Sequence, residues 1–174
     1  MAFLEIFMRW FLIDKFIEIQ KGKYAKAIRN ITLGEDHLHD HFPTFPVMPN
    51  SLIIESLAQT AGILAGYSED FEQNVILSKI TKAVFHRMAR PGDQLLLEAR
   101  IVDLRDEGAW LDASATVDGE MLAEASLMFV HWRGELPSGR PLSNFVFNEE
   151  FVSFFWANLA PPSIKEKKNS PSAR

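Results

Sequence analysis

The sequence predicts an α+β fold in which an antiparallel sheet of about six strands wraps around one central helix. Three observations lead there. Residues 51–67, "SLIIESLAQTAGILAGY", have helical length and are apolar nearly all round, which marks a helix enclosed by the rest of the chain. The later stretches "DQLLLEARIVD", "AWLDASATV" and "EMLAEASLMFV" alternate with a period of two, the pattern of half-buried antiparallel strands. The helix carries Ala58, Ala61, Gly62, Ala65 and Gly66, and the candidate inner strand faces carry Ala113, Ala115, Ala123 and Ala125, so sheet and helix can approach closely.

In order along the chain, residues 11–20 read as a first strand, Gly22 as a turn and residues 23–33 as a second strand. A loop rich in His and Pro, residues 34–49, leads into the helix. Pro49 stops whatever precedes it, and Asn50 suits the N-cap because its side-chain oxygen accepts from a first-turn amide. Beyond the helix, "PGD" at 91–93 opens a strand in which Leu95, Leu97, Ala99 and Ile101 share a face. Leu111, Ala113, Ala115 and Val117 do so in the next, and Met121, Ala123, Ala125, Leu127 and Phe129 in the last. Asp118-Gly119 is a strong hairpin turn, and Asp106-Glu107-Gly108 suits a longer one. Two strands thus precede the helix; four are expected to follow it, of which these three are placed.

Residues 134–160 differ in character from residues 1–133. "RGELPSGRPLSN" has the Pro, Gly and Ser content of a linker. Asn148 then offers an N-cap, Glu149 and Glu150 suit a first helical turn, and a dense aromatic cluster follows; a short helix packed on the body or on a partner is expected. Residues 161–174 are expected to be disordered.

Composition narrows the function classes. With 47% hydrophobic and 24% charged residues the chain reads as globular, and without cysteine it has neither disulfides nor thiolate metal ligands. The net charge of −5 argues against a nucleic-acid partner. Residues 161–174 hold four of the 18 basic residues and one of the 23 acids, so the rest of the chain is more acidic still. The opening "MAFLEIFMRWFLIDKF" places Glu5 ahead of any basic residue and lacks a clean apolar run, and no window approaches the roughly 18 apolar residues of a membrane span. A cytoplasmic location is expected.

The chemistry concentrates in "HFPTFPVMPNSLIIESLAQ", residues 41–59. Pro43, Pro46 and Pro49 recur every third residue, which favours an extended, polyproline-like loop that holds His41 fixed relative to the helix start. Glu55 falls in the second turn of a helix expected to be buried; a buried carboxyl is costly unless paired, and a protonated one in an apolar pocket is a usable general acid. Gln59, one turn on, shares its face and is placed to orient it. Gly62 and Gly66 extend that face as a smooth groove. The helix start adds free amide hydrogens and the positive dipole end, which would polarise a thioester carbonyl. A base, an acid and an oxyanion site are the parts needed to remove a proton α to a carbonyl and expel a β-hydroxyl. The competing reading is a metal centre at "HLHDH", residues 37–41, but this falls one residue short of the H-x-H-x-D-H hydrolase pattern, and His37 and His39 are expected to be ordinary loop residues.

"HFPTFPVMPNSLIIESLAQTAGILAG" closely resembles the active-site segment of FabZ-type 3-hydroxyacyl-acyl-carrier-protein dehydratases, whose pattern is roughly H-F-P-x-x-P-x-M-P-G followed by an apolar stretch holding E and A-Q. The similarity extends over about residues 9–131, through "FLIDKFIEI", "ARPGDQLLLEARI" and "ATVDGEMLAEASLMF". Asn50 stands where the family has glycine, Thr44 replaces a common glycine, and the extension after residue 134 is longer than usual. The resemblance implies a hotdog fold for residues 1–133 and conversion of (3R)-3-hydroxyacyl thioesters on acyl carrier protein to trans-2-enoyl thioesters. It implies that His41 abstracts the C2 proton, that Glu55 protonates the departing hydroxyl, that Gln59 supports Glu55 and that the Asn50 N–H donates to the carbonyl. Relatives that also isomerise the double bond carry Asp at the acid position, so Glu55 implies dehydration alone. Phe42, Pro49 and Gly62 are the expected tunnel wall, and Lys79, Lys82, Arg87 and Arg90 the expected contact for the acidic carrier or its phosphopantetheine phosphate. No metal or organic cofactor is implied; a homodimer is, or a trimer of dimers, with His and Glu supplied across the interface. A hotdog acyl-thioesterase and a non-catalytic acyl-chain or carrier-binding module are the alternatives.

Overall fold

The computed structural model describes residues 11–132 and 144–164. Six antiparallel strands and a 19-residue helix make up the body: β1 Lys15–Gln20, β2 Tyr24–Asn30, α1 Asp36–Asp40, α2 Asn50–Ser68, β3 Asn74–Phe85, β4 Gln94–Arg105, β5 Gly108–Val117 and β6 Glu120–Trp132. The sheet order is β1-β2-β4-β5-β6-β3, so β3, which directly follows α2, becomes an edge. The sheet curves round α2, which packs against β2 to β6. This is the hotdog fold.

Close contact rests on the small residues. Ala99, Ala113, Ala115, Ala123 and Ala125 are buried on the sheet's concave face, and Ala58, Ala61 and Ala65 on α2. Three hydroxyls inside the helix are satisfied by carbonyls one turn back: Ser56 to Leu52, Thr60 to Ser56 and Ser68 to Leu64, at 2.7–2.9 Å. These polar side chains therefore tolerate burial without reaching water.

Several expectations shift in detail. The first strand is shorter than residues 11–20, because residues 11–14 form an irregular lead-in: Leu12 and Ile13 turn into the core, and the Asp14 N–H bonds to the Ile28 carbonyl. The second spans Tyr24–Asn30 only. The loop at 34–49 contains the short helix α1. The turn after β4 is tighter than expected, with Arg105 pairing directly with Gly108. Asp118-Gly119 turns with both residues at positive φ, 53° and 83°, the geometry that matches the twist of a two-residue hairpin. Alternation fails at the start of β6: Ala115 pairs with Ala123 but Thr116 with Met121, so Leu122 bulges into the core and Met121 turns outward.

After residue 144 the chain packs on the end of the body away from the helix start. Asn148 caps α3, Glu149–Phe154, by accepting from the Phe151 N–H at 2.8 Å, and a π-helical turn, Phe155–Leu159, continues it. Phe147, Phe151 and Phe155 are buried against Phe71, with ring centroids 5.1–5.9 Å apart. Asn74 and Asn144 fix the entry to this segment: the Asn74 side chain accepts from Phe145 and Val146, and the Asn144 side chain donates to the Phe71 carbonyl. Contrary to the expected disorder from Pro161, Ile164 is packed into the core. Of the linker expected at "RGELPSGRPLSN", residues 133–143 lie outside the described residues, as does the tail from residue 165. Among the described residues no helix is long and apolar enough to cross a membrane.

Candidate active site

His41 closes α1 as its C-cap, half-buried, with its ring stacked on Phe42 at 4.2 Å between centroids. The loop that follows is not one extended run. Phe42 and Phe45 exchange backbone hydrogen bonds at 3.2 and 3.0 Å, folding Pro43 and Thr44 into a tight turn. The His41 carbonyl then accepts from Val47 at 2.9 Å, and Met48 donates to Ala89 at 2.8 Å. With Val47 and Met48 buried, these bonds, rather than a polyproline helix, hold His41 in place.

The helix begins differently from expectation. Pro49 occupies the N-cap at φ −55°, its carbonyl accepting from Leu52 and Ile53, and Asn50 is the first helical residue with no side-chain cap. The prolyl φ already suits the helix entry, which releases Asn50 from capping. The first-turn amides of Asn50 and Ser51 precede these bonds and have no intrahelical acceptor. Asn50 is exposed, so its side chain leaves that end open to solvent.

Glu55 is exposed in the single chain, not buried as the apolar helix suggests. The sheet's cover is complete only from Ser56 onward, and the first turns of α2 project beyond it. Gln59 is buried and bonded at both ends of its amide: Oε1 accepts from the Leu12 N–H at 2.9 Å, and Nε2 donates to Glu55 Oε1 at 2.9 Å. The carboxylate thus sits on a fixed donor. His41 and Glu55 of the same chain form neither a hydrogen bond nor an ion pair among the described residues.

The glycine stripe is not an open groove. The place of a Cβ at Gly62 lies 3.2 Å from the Phe129 ring, and at Gly66 2.2 Å from the Phe147 ring. At Gly66 the missing side chain makes room for the Phe147 ring, and at Gly62 the Phe129 ring comes close, so Gly62 faces the sheet interior. Of the other expected wall residues, Phe42 is exposed and Pro49 half-buried beside His41's loop.

The four basic residues do not act as one free patch. Lys82 pairs with Glu124 at 2.9 Å, and Arg87 with Glu120 at 3.3 Å and Asp93 at 3.7 Å. Lys79 lies exposed on β3. The Arg90 backbone N–H donates to the Asp93 carboxylate at 2.9 Å, but its guanidinium forms no ion pair among the described residues and lies 4.0 Å above the centre of the Phe45 ring, in the turn that follows His41. Sequence reasoning missed Phe45 and the Leu12 amide. The first shows only as an aromatic in a Pro-rich loop, and a backbone donor 47 positions from Gln59 leaves no sequence signal.

Among the described residues no three His, Asp or Glu side chains converge in a way that could hold a metal ion. His37 is largely buried, and burial lowers its pKa from the ordinary value, with nearby Glu35 opposing.

The chain is similar to known proteins in sequence and in fold. A family model described as a FabA-like domain matches residues 8–126. The 3-hydroxyacyl-[acyl-carrier-protein] dehydratase FabZ of Listeria welshimeri is 43% identical over 119 residues, covering 68% of this chain and 83% of that protein. The FabZ of Caldicellulosiruptor bescii is 37% identical, with 68% and 85% covered. Among solved structures, smu.793 from Streptococcus mutans, bound to acetyl CoA, superposes with a TM-score of 0.59 at 14% identity, covering 75% of this chain and 95% of that one. The dehydratase heterocomplex ApeI:P from Xenorhabdus doucetiae gives 0.53 at 19% identity, with 66% and 96% covered. These two likenesses show the fold. The chain belongs to the FabA-like family of the hotdog superfamily. Within that family it is of the FabZ dehydratase type.

Proposed function

We propose that the chain dehydrates (3R)-3-hydroxyacyl thioesters on acyl carrier protein to trans-2-enoyl thioesters in fatty-acid synthesis, with His41 as base and Glu55 as acid. His41 takes the C2 proton, the electron pair forms the C2–C3 double bond, and the C3 hydroxyl leaves with a proton from Glu55 as water. Transfer of the imidazolium proton to the carboxylate resets the pair. The first-turn amides of Asn50 and Ser51 are placed to receive the thioester oxygen as it gains charge. The observation that carries this reading is the carboxylate of Glu55 held by Gln59 at 2.9 Å near that helix end.

A homodimer completes the site, with His41 facing Glu55 of the partner subunit. The exposure of Glu55 supports this, as does β3, a 12-residue edge strand exposed from Ser78 to Ala83 that includes Ile80; an edge of that length invites pairing with a second copy. Arg90, above Phe45, receives the phosphopantetheine phosphate or the acidic carrier, with Lys79 in support.

Mass spectrometry of carrier-bound 3-hydroxyacyl thioesters after incubation tests the assignment. Loss of 18 Da, consistent with elimination of water, is expected from the wild type, and His41→Ala and Glu55→Gln should each slow it by at least about a hundredfold. Wild-type-like turnover by either variant refutes that residue's role. Release of free thiol in place of the enoyl product overturns the dehydratase reading.

A further inference from the structure

The C-terminal aromatic segment lies beyond residue 126, where the family match ends, yet contacts lead from it to the site. The Phe154 ring lies 4.8 Å from that of Phe11, and Phe151 stacks on Phe11 at 6.3 Å. Phe11 immediately precedes Leu12, whose N–H fixes Gln59 Oε1, and the other end of that amide holds Glu55. The segment is itself anchored independently, through Phe155 against Phe16 and Phe71 and through the Asn74 and Asn144 bonds. The lead-in at 11–14 has irregular structure, and among the described residues its hydrogen bonds to β2 are those of Asp14, two residues beyond Leu12.

We infer that Phe151 and Phe154 are positioning residues for dehydration: by clamping Phe11 they fix the Leu12 amide, and through it the Gln59–Glu55 pair. The inference rests on the reading of Glu55 as the acid. Its physical basis is orientation. Gln59 has one donor end and one acceptor end, and the Leu12 N–H on its oxygen turns the amide's own N–H towards the carboxylate. A carboxyl misplaced by a fraction of an ångström reaches the leaving oxygen poorly, while substrate binding elsewhere persists.

Phe154 is half-buried, so Phe154→Ala in the full chain should fold. It should lower kcat roughly tenfold with KM held within about twofold, and Phe154→Leu should restore most of the loss. In a Gln59→Ala background the same change should have no further effect on kcat, because the link is already cut. Phe147→Leu, which loosens the segment at Gly66 and touches Phe151 but not Phe11, should lower stability while lowering kcat less than Phe154→Ala does. Amide exchange at Leu12 should quicken in Phe154→Ala. An undiminished loss in the Gln59→Ala background, an unchanged kcat in Phe154→Ala, or an unchanged Leu12 exchange rate would each overturn the inference. If the wild type shows no dehydration at all, the functional reading fails, while exchange at Leu12 and the Gln59 side-chain amide resonances still decide whether the segment sets that geometry.

Discussion

Replacing Gly66 by alanine should destabilise this protein, against the ordinary preference of helices. In an open helix the change stabilises by about 1 kcal/mol, since glycine is the poorer helix former. Here the new Cβ would lie 2.2, 2.5 and 2.9 Å from three atoms of the Phe147 ring, where carbon atoms rest at roughly 3.5–4.0 Å. The ring must retreat by more than about 1 Å. It is wedged between Phe71 and Phe151, each 5.1 Å away between centroids, and cannot simply rotate aside. Overpacking of this kind costs about 1–3 kcal/mol, and the lack of slack places it near the upper end. Net of the helix gain, a loss of about 2 kcal/mol is expected, or roughly 4–8 °C in Tm for a chain of this size. Thermal and urea unfolding at one fixed protein concentration would measure it. The double variant Gly66→Ala with Phe147→Val should recover part of the loss, giving a coupling of about 1 kcal/mol or more. If Gly66→Ala alone stabilises by the open-helix amount, Phe147 is not seated on the helix and the account of the C-terminal segment is wrong.

Two further outcomes follow from the charges. Arg90→Ala should raise KM for carrier-linked substrate by up to about fivefold, an effect that fades with added salt, whereas Arg87→Ala, already neutralised by Glu120 and Asp93, should change it less. Equal effects from the two would refute the special place of Arg90. For His37, burial lowers the folded-state pKa below the ordinary 6.5. The unfolded chain therefore binds a proton before the folded chain does, so stability present above pH 6.5 is lost as pH falls through 6.5 towards the lowered folded value. Urea midpoints between about pH 7.5 and 5.5 should fall accordingly, and His37→Gln should flatten that slope; an unchanged slope would exclude His37 as its source.

Where local rules govern, the sequence was readable. The alternation in "AWLDASATV" placed Leu111, Ala113, Ala115 and Val117 in the core, and all four are there. The hairpin at Asp118-Gly119 follows from two residue types that accept positive φ. Glu55 and Gln59 meet because four residues along a helix is one turn. Where the outcome depended on another part of the chain, the reading failed. Glu55 was expected to be buried because its neighbours are apolar, but exposure depends on where the sheet's cover stops. Gly62 and Gly66 read as a groove because a missing side chain looks like space; which ring fills it is set by Phe129 and Phe147, more than 60 residues away. The basic residues read as one patch because charges are counted without partners, and Glu120 and Glu124 come from the neighbouring strand.

The sequence by itself determined the central helix, most of the strands, the Asp118-Gly119 turn and the segment that carries a histidine, a carboxylate and a helix start. Those features depend on backbone preferences and on residues within one or two turns of each other, so a local pattern is enough. Tertiary structure alone decided that Leu12 anchors Gln59, that Arg90 is the cation left beside His41's loop, and that the C-terminal aromatics close the far end of α2. Each is a contact between groups distant in sequence, and one of them is a backbone amide that every residue but proline possesses. Such contacts are selected by the packing of the whole chain, and no local pattern encodes them.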